Sequence, residues 1–111
     1  MRLRSDIWVS ALLRRCMAQG MFGAVLHKGH EEAGAVFVVI NRLDGSFELL
    51  VPPPGPAFDA LGDRHFEKAH DGSMPWNEID AFVQKRRRVD ADLWLVEIEA
   101  REGFAALNVL V

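Results

Sequence analysis

Between residues 6 and 19 apolar side chains recur at helical spacing. At about 100° per residue, Trp8, Leu12, Cys16, Val9, Leu13 and Met17 fill one half of the wheel, and Ser10, Arg14, Ala18, Ala11 and Arg15 fill the other. This predicts an amphipathic helix with a wide buried face. Ser5 stands where an N-cap belongs, Asp6 suits the positive end of the helix dipole, and Gly20 offers a stop. The pattern then changes to runs of β-branched and aromatic residues. Residues 22–26 read as a first strand, followed by the polar loop His27-Lys28-Gly29-His30-Glu31-Glu32. Residues 35–40 are apolar without alternation and rich in Val, which predicts a central strand covered on both faces. Asp44-Gly45 is a hairpin signal, and residues 47–51 are the returning strand. No ladder continues through Pro52-Pro53-Pro54-Gly55-Pro56, so a sheet edge or a crossing loop is expected there.

Residues 64–69 read as a short edge strand. A second helix is predicted from about Ser73, with Pro75 in its first turn, Glu78 and Asp80 early, and the basic run 85–88 late, as the dipole prefers. Residues 93–98 form the last strand, with Trp94, Val96 and Ile98 on one face and Glu97 and Glu99 on the other. Helix-sized and strand-sized segments do not alternate as in a doubly wound domain. The expectation is an α+β fold in the order α-β-β-β-β-α-β, with two main helices packed on an antiparallel or mixed sheet of four to five strands. Residues 1–100 are expected to form one domain. Residues 101–111 are an apolar C-terminal tail that would be an aggregation hazard if free, so it is expected to dock as a strand or against a partner.

Composition narrows this picture modestly. A chain of 111 residues, half of them hydrophobic and 26% charged, fits one globular domain that needs neither disulfide nor metal to fold. Cys16 is the single cysteine, so no internal disulfide exists, which suits a reducing compartment. Arg2 and Arg4 resemble the start of a signal peptide. However, the apolar run 7–13 is short, contains Ser10 and ends in Arg14-Arg15, so a cytoplasmic chain is expected. No stretch approaches the roughly 20 apolar residues of a membrane span. The net charge of −3 is unevenly spread: residues 1–42 carry +3 and residues 43–111 carry −6, the latter despite the run 85–88.

The chemistry-bearing residues are sparse. His27, His30, Glu31 and Glu32 in one loop, with His65 and His70 around another, match no zinc-ligand spacing, and one cysteine supplies no thiolate set. No metal or other cofactor is implied. Cys16 lies mid-helix on the apolar face, where a structural thiol is the simpler reading than a nucleophile. There is no phosphate loop, nucleophile elbow or paired-carboxylate motif, so no catalytic residue is assigned. Arg86 falls within the arc of Trp76, Ile79, Phe82, Val83 and Val89 on the second helix. An arginine there must snorkel, pair with a carboxylate such as Asp63, Glu67 or Glu97, or face a ligand anion.

The segment Arg2-Leu3-Arg4-Ser5-Asp6-Ile7-Trp8-Val9-Ser10-Ala11-Leu12-Leu13-Arg14-Arg15 resembles the DUF1491 family, short bacterial proteins of unknown function. Gly34-Ala35-Val36-Phe37-Val38-Val39 and Asp92-Leu93-Trp94-Leu95-Val96-Glu97-Ile98-Glu99 add to the resemblance, which covers about residues 2–100. It implies a bacterial cytoplasmic protein and carries no activity, cofactor or catalytic residue with it. Three function classes follow. The leading expectation is a small non-catalytic binding or accessory protein with a protein partner or self-association through the tail. The rival is nucleic-acid binding by Lys85, Arg87 and Arg88 with Arg14 and Arg15, against which the net negative charge counts. The last is an enzyme or small-anion site in which Arg86 meets His65 or His70.

Overall fold

The computed structural model describes residues 3–54 and 64–103. The elements run α1 (Ser5–Ala18), β1 (Gly23–His27), β2 (Val36–Asn41), β3 (Phe47–Val51), β4 (Glu67–Lys68), α2 (Trp76–Arg87) and β5 (Trp94–Glu99). This is the expected element order, with boundaries displaced by up to three residues. The five strands make one mixed sheet in the order β1-β5-β2-β3-β4. β2 is central: it runs parallel to β5, pairing Val36 with Trp94 and Ile40 with Ile98, and antiparallel to β3 on its other side. Its residues Val36 to Ile40 are all buried, as an apolar run without alternation requires.

The two helices cover opposite faces. Val9, Leu12 and Cys16 of α1 join Val36, Val38, Ile40, Leu50, Val96 and Ile98 in one core layer. Ile79 and Val83 of α2 join Phe37, Val39, Leu49, Val51 and Leu95 in the other. Successive strand residues therefore feed alternate layers, and both layers are apolar because both sheet faces are roofed by a helix.

The start of α1 departs from expectation. Arg4, not Ser5, occupies the cap position, with no side-chain cap bond. The amides of Ser5 and Asp6 instead donate to the carbonyls of Glu32 (3.2 Å) and Glu31 (2.9 Å), so a distant loop satisfies donors that a capping side chain would otherwise take. The buried Ser5 hydroxyl is thereby freed to donate to the Gly34 carbonyl at 2.6 Å, and it accepts from Arg64 Nη2 at 2.8 Å. The end of α1 is as predicted. Gly20 adopts φ +75°, the Met21 amide donates to the Cys16 carbonyl, and the Gly20 amide donates to that of Met17, a Schellman closure. Met17, placed on the buried arc by the wheel, is 79% exposed, in the last turn of the helix.

α2 likewise begins later than Ser73. Pro75 is its cap residue, and the preceding Met74 forms an isolated bridge to Phe47 that anchors the chain before the helix starts. At the hairpin, the Ser46 hydroxyl and amide both donate to Asp44 Oδ1 and hold that carboxyl below its ordinary pKa. β4 is a two-residue edge strand on β3, the remnant of the predicted 64–69 strand. The tail segment 104–111, and Gly55 and Pro56 of the proline run, lie outside the described residues.

Candidate binding surfaces

The connection from β1 to β2 shapes the molecule's first candidate site. These two strands are not neighbours, since β5 lies between them. Residues 28–35 must therefore cross the start of β5. Gly29 and Gly34 make that crossing possible: a Cβ on either would run into the Asp92 carbonyl oxygen, and at Gly29 also to 2.6 Å from Trp94 Cδ1. The His30 amide donates to Asp92 (2.9 Å), and the Trp94 indole donates back to the His30 carbonyl (2.8 Å). A cavity of about 330 Å³ beside this crossing is lined by His30, Ala33, Gly34, Ala35, Asp90 and Asp92. His30 Nδ1 accepts from the Ala33 amide at 3.2 Å, so one ring nitrogen is committed to the loop itself. Glu31 pairs with Lys28 and Arg4 at the surface. His27 is partly buried, with Nε2 unpartnered among the described residues. No group of three or more His, Cys, Asp or Glu side chains among the described residues is placed to hold a metal ion.

The second candidate surrounds Arg86. The side chain is exposed, and its guanidinium lies over the rings of Phe37 (5.4 Å) and Phe82 (5.9 Å). Arg86 thus escapes the apolar arc by snorkelling across aromatic faces. It makes no ion pair with Glu67 or Glu97 among the described residues; Glu97 instead accepts from Asn41 Nδ2 at 3.4 Å, and Asp63 lies outside the described residues. A depression of about 340 Å³ is lined by Phe82, Lys85, Arg86 and Val89, with no histidine in that lining. His65 and His70 flank β4, both exposed, so the cavity at Arg86 is built without them.

The basic residues separate as well. Arg14 and Arg15 lie on α1 and residues 85–88 on α2, and these helices roof opposite faces of the sheet. The two clusters do not form one continuous stripe. Cys16 is fully buried, and burial pushes its thiol pKa up, away from the thiolate a nucleophile needs.

A third surface was not anticipated. Among the described residues β1 stands at the edge of the sheet and pairs with β5 alone, and Phe22, Val25 and Leu26 are 61%, 40% and 44% exposed. The sequence signal for a strand at 22–26 was plain, but nothing in it said that the strand would stand at an edge. Also unforeseen was the link from Arg64, whose guanidinium sits 5.5 Å over Trp8, with Phe66 tilted against the same indole at 5.6 Å.

The sequence profile of a family described as "Protein of unknown function (DUF1491)" matches residues 3–108. The chain is a member of the DUF1491 family. Protein Atu0922 from A. tumefaciens, known from its solution structure, is 43% identical, with 90% of this chain and 87% of that one covered at a TM-score of 0.78. A crystal structure of a DUF1491 protein from Caulobacter crescentus is 35% identical over 91% of this chain and 89% of that one, at a TM-score of 0.73. An NMR structure of a DUF1491 protein from the same organism is 36% identical over 93% and 90%, at 0.72. No curated protein matches the chain significantly. DUF1491 membership therefore brings a bacterial kinship and a shared fold. No helix among the described residues is long and apolar enough to cross a membrane.

Proposed function

We propose that this chain is a small binding or accessory protein of the bacterial cytoplasm, without catalysis of its own, that self-associates along the outer edge of β1. The observation carrying this reading is the apolar outer edge of β1, which no other strand among the described residues covers. Every second residue of an edge strand directs its amide and carbonyl outward, a template for another strand. Natural edges are usually blunted by charge, proline or a bulge. None of the five β1 residues is Lys, Arg, Asp, Glu or Pro, and the register irregularity lies at one end only, between Val25 and His27. Two copies laid antiparallel would therefore meet no like charge, and would cover Phe22, Val25 and Leu26. A buried, proton-retaining Cys16, a His30 nitrogen engaged by its own loop, and an Arg86 cavity without histidine all favour binding over catalysis. The lone buried thiol supports a reducing compartment. Measuring the solution mass of the full chain and of Val25→Lys tests the reading. A concentration-dependent dimer that Val25→Lys abolishes is expected, and a full chain that stays monomeric at every concentration refutes it.

A further inference from the structure

We infer that the C-terminal end of α2 is a docking site for a short acidic segment of a partner protein that also carries an apolar side chain. This surface is independent of the β1 edge. Lys85, Arg86, Arg87 and Arg88 are consecutive cations in a chain of net charge −3, and none is ion-paired among the described residues. The carboxylate next in sequence, Asp90, is turned into its own loop, where it accepts from the Asp92 amide at 3.2 Å. Helix-end placement explains the sign of these charges. It does not explain Val89, which is 84% exposed immediately beyond the C-cap residue Arg88. Val89 and Phe82 line the depression of about 340 Å³ together with Lys85 and Arg86.

A depression lined by both cations and apolar side chains is complementary to an anion that brings an apolar group with it. Arg86 is prepared for the anionic part. Its guanidinium carbon lies 5.4 Å from the Phe37 ring centroid and 5.9 Å from that of Phe82, and it has no ion-pair partner among the described residues, so its N–H donors are available to a carboxylate fork. The patch is also short, since four helical residues span only about 6 Å. Arg14 and Arg15 lie on the opposite layer and cannot extend it. A long polyanion would find too few contacts here, whereas two or three acidic residues beside a leucine or phenylalanine match its size.

The experiment titrates the full, ¹⁵N-labelled chain with a twelve-residue peptide of Glu and Asp interspersed with Leu and Phe, up to about 1 mM, where even weak binding registers. Saturable amide shifts confined to residues 82–90 are expected. Arg86→Leu should weaken binding about 10-fold or more, and Arg86→Lys several-fold, because lysine keeps the charge and loses the fork. Arg14→Ala should change nothing. A peptide with Ser in place of Leu and Phe should also lose about 10-fold, equivalent to ~1.4 kcal/mol. The spectrum of each variant reports its folding before titration. The inference is overturned by absence of shifts at low salt, by shifts elsewhere, or by equal binding of the Ser-substituted peptide. It is overturned too if a single-stranded oligonucleotide or anionic phospholipid vesicles displace the peptide at lower concentration.

Discussion

Replacing Gly29 with alanine puts the crossing of β5 to a quantitative test. The added Cβ would lie 2.6 Å from the Leu93 carbonyl carbon and 2.6 Å from Trp94 Cδ1, besides meeting the Asp92 carbonyl oxygen. These are mainly backbone neighbours at the start of a buried strand, so the loop must lift by most of an ångström. Lifting it stretches the His30–Asp92 and Trp94–His30 hydrogen bonds, now 2.9 and 2.8 Å. Overpacking costs about 1–3 kcal/mol, and two weakened hydrogen bonds cost about 1 kcal/mol each. The reduced entropy of the unfolded alanine chain returns roughly 0.4–1 kcal/mol. The expected net loss is about 2–4 kcal/mol, or a Tm lower by roughly 10–20 °C for a domain of this size. Gly20→Ala is the matched control: it has nothing within 4 Å and only its φ of +75° to resist, so about 1 kcal/mol or less is expected. Urea titration followed by tryptophan fluorescence, with m-values compared, measures both. If Gly29→Ala proves as stable as Gly20→Ala or the parent, steric closure of this crossing is wrong.

Other perturbations follow from the same structure. Ser5→Ala removes a buried hydroxyl bonded to Gly34 and Arg64, and should cost about 1–3 kcal/mol in urea unfolding. Arg42→Leu takes away the 3.0 Å partner of Glu48, whose side chain is only 6% exposed, while Lys68 remains at 3.8 Å; a loss of about 1–3 kcal/mol is expected by the same assay. Burial raises the Cys16 thiol pKa in the folded state, so its contribution is fully present below the unfolded thiol range, near 8.5, and fades as pH rises through the higher folded value. Stability curves should therefore show the parent losing ground against Cys16→Ala above about pH 8.5, and parallel curves would refute this.

The fold was legible where one segment's pattern decides its own environment. Residues 35–40 could only be a strand covered on both faces, and β2 is one. The alternation at Trp94, Val96 and Ile98 placed them in one layer, where they are found. What the pattern could not convey was pairing between distant segments. That β5 inserts between β1 and β2 is a long-range choice, and it leaves β1 at the edge among the described residues and makes Gly29 and Gly34 crossing points. Ser5 was misread because local rules make serine a cap, whereas loop carbonyls 26 and 27 residues away took the capping role. Met17 shows the limit of a helical wheel, which gives the face of a helix but not how far the packing under that face extends. Arg86 was correctly singled out as anomalous, and the structure supplies the physical answer in two aromatic rings, one of them on another element.

The proposed self-association of this DUF1491 protein is tested most directly by sedimentation equilibrium over a concentration series from about 10 µM to about 1 mM, a span in which mass action populates a weak dimer. Three chains are compared: the parent, Val25→Lys, and a chain ending at Gly103. The account predicts a dimer for the parent and for the shortened chain, and a folded monomer for Val25→Lys. A parent that remains monomeric throughout, or a dimer lost on shortening yet kept in Val25→Lys, would contradict pairing at the β1 edge.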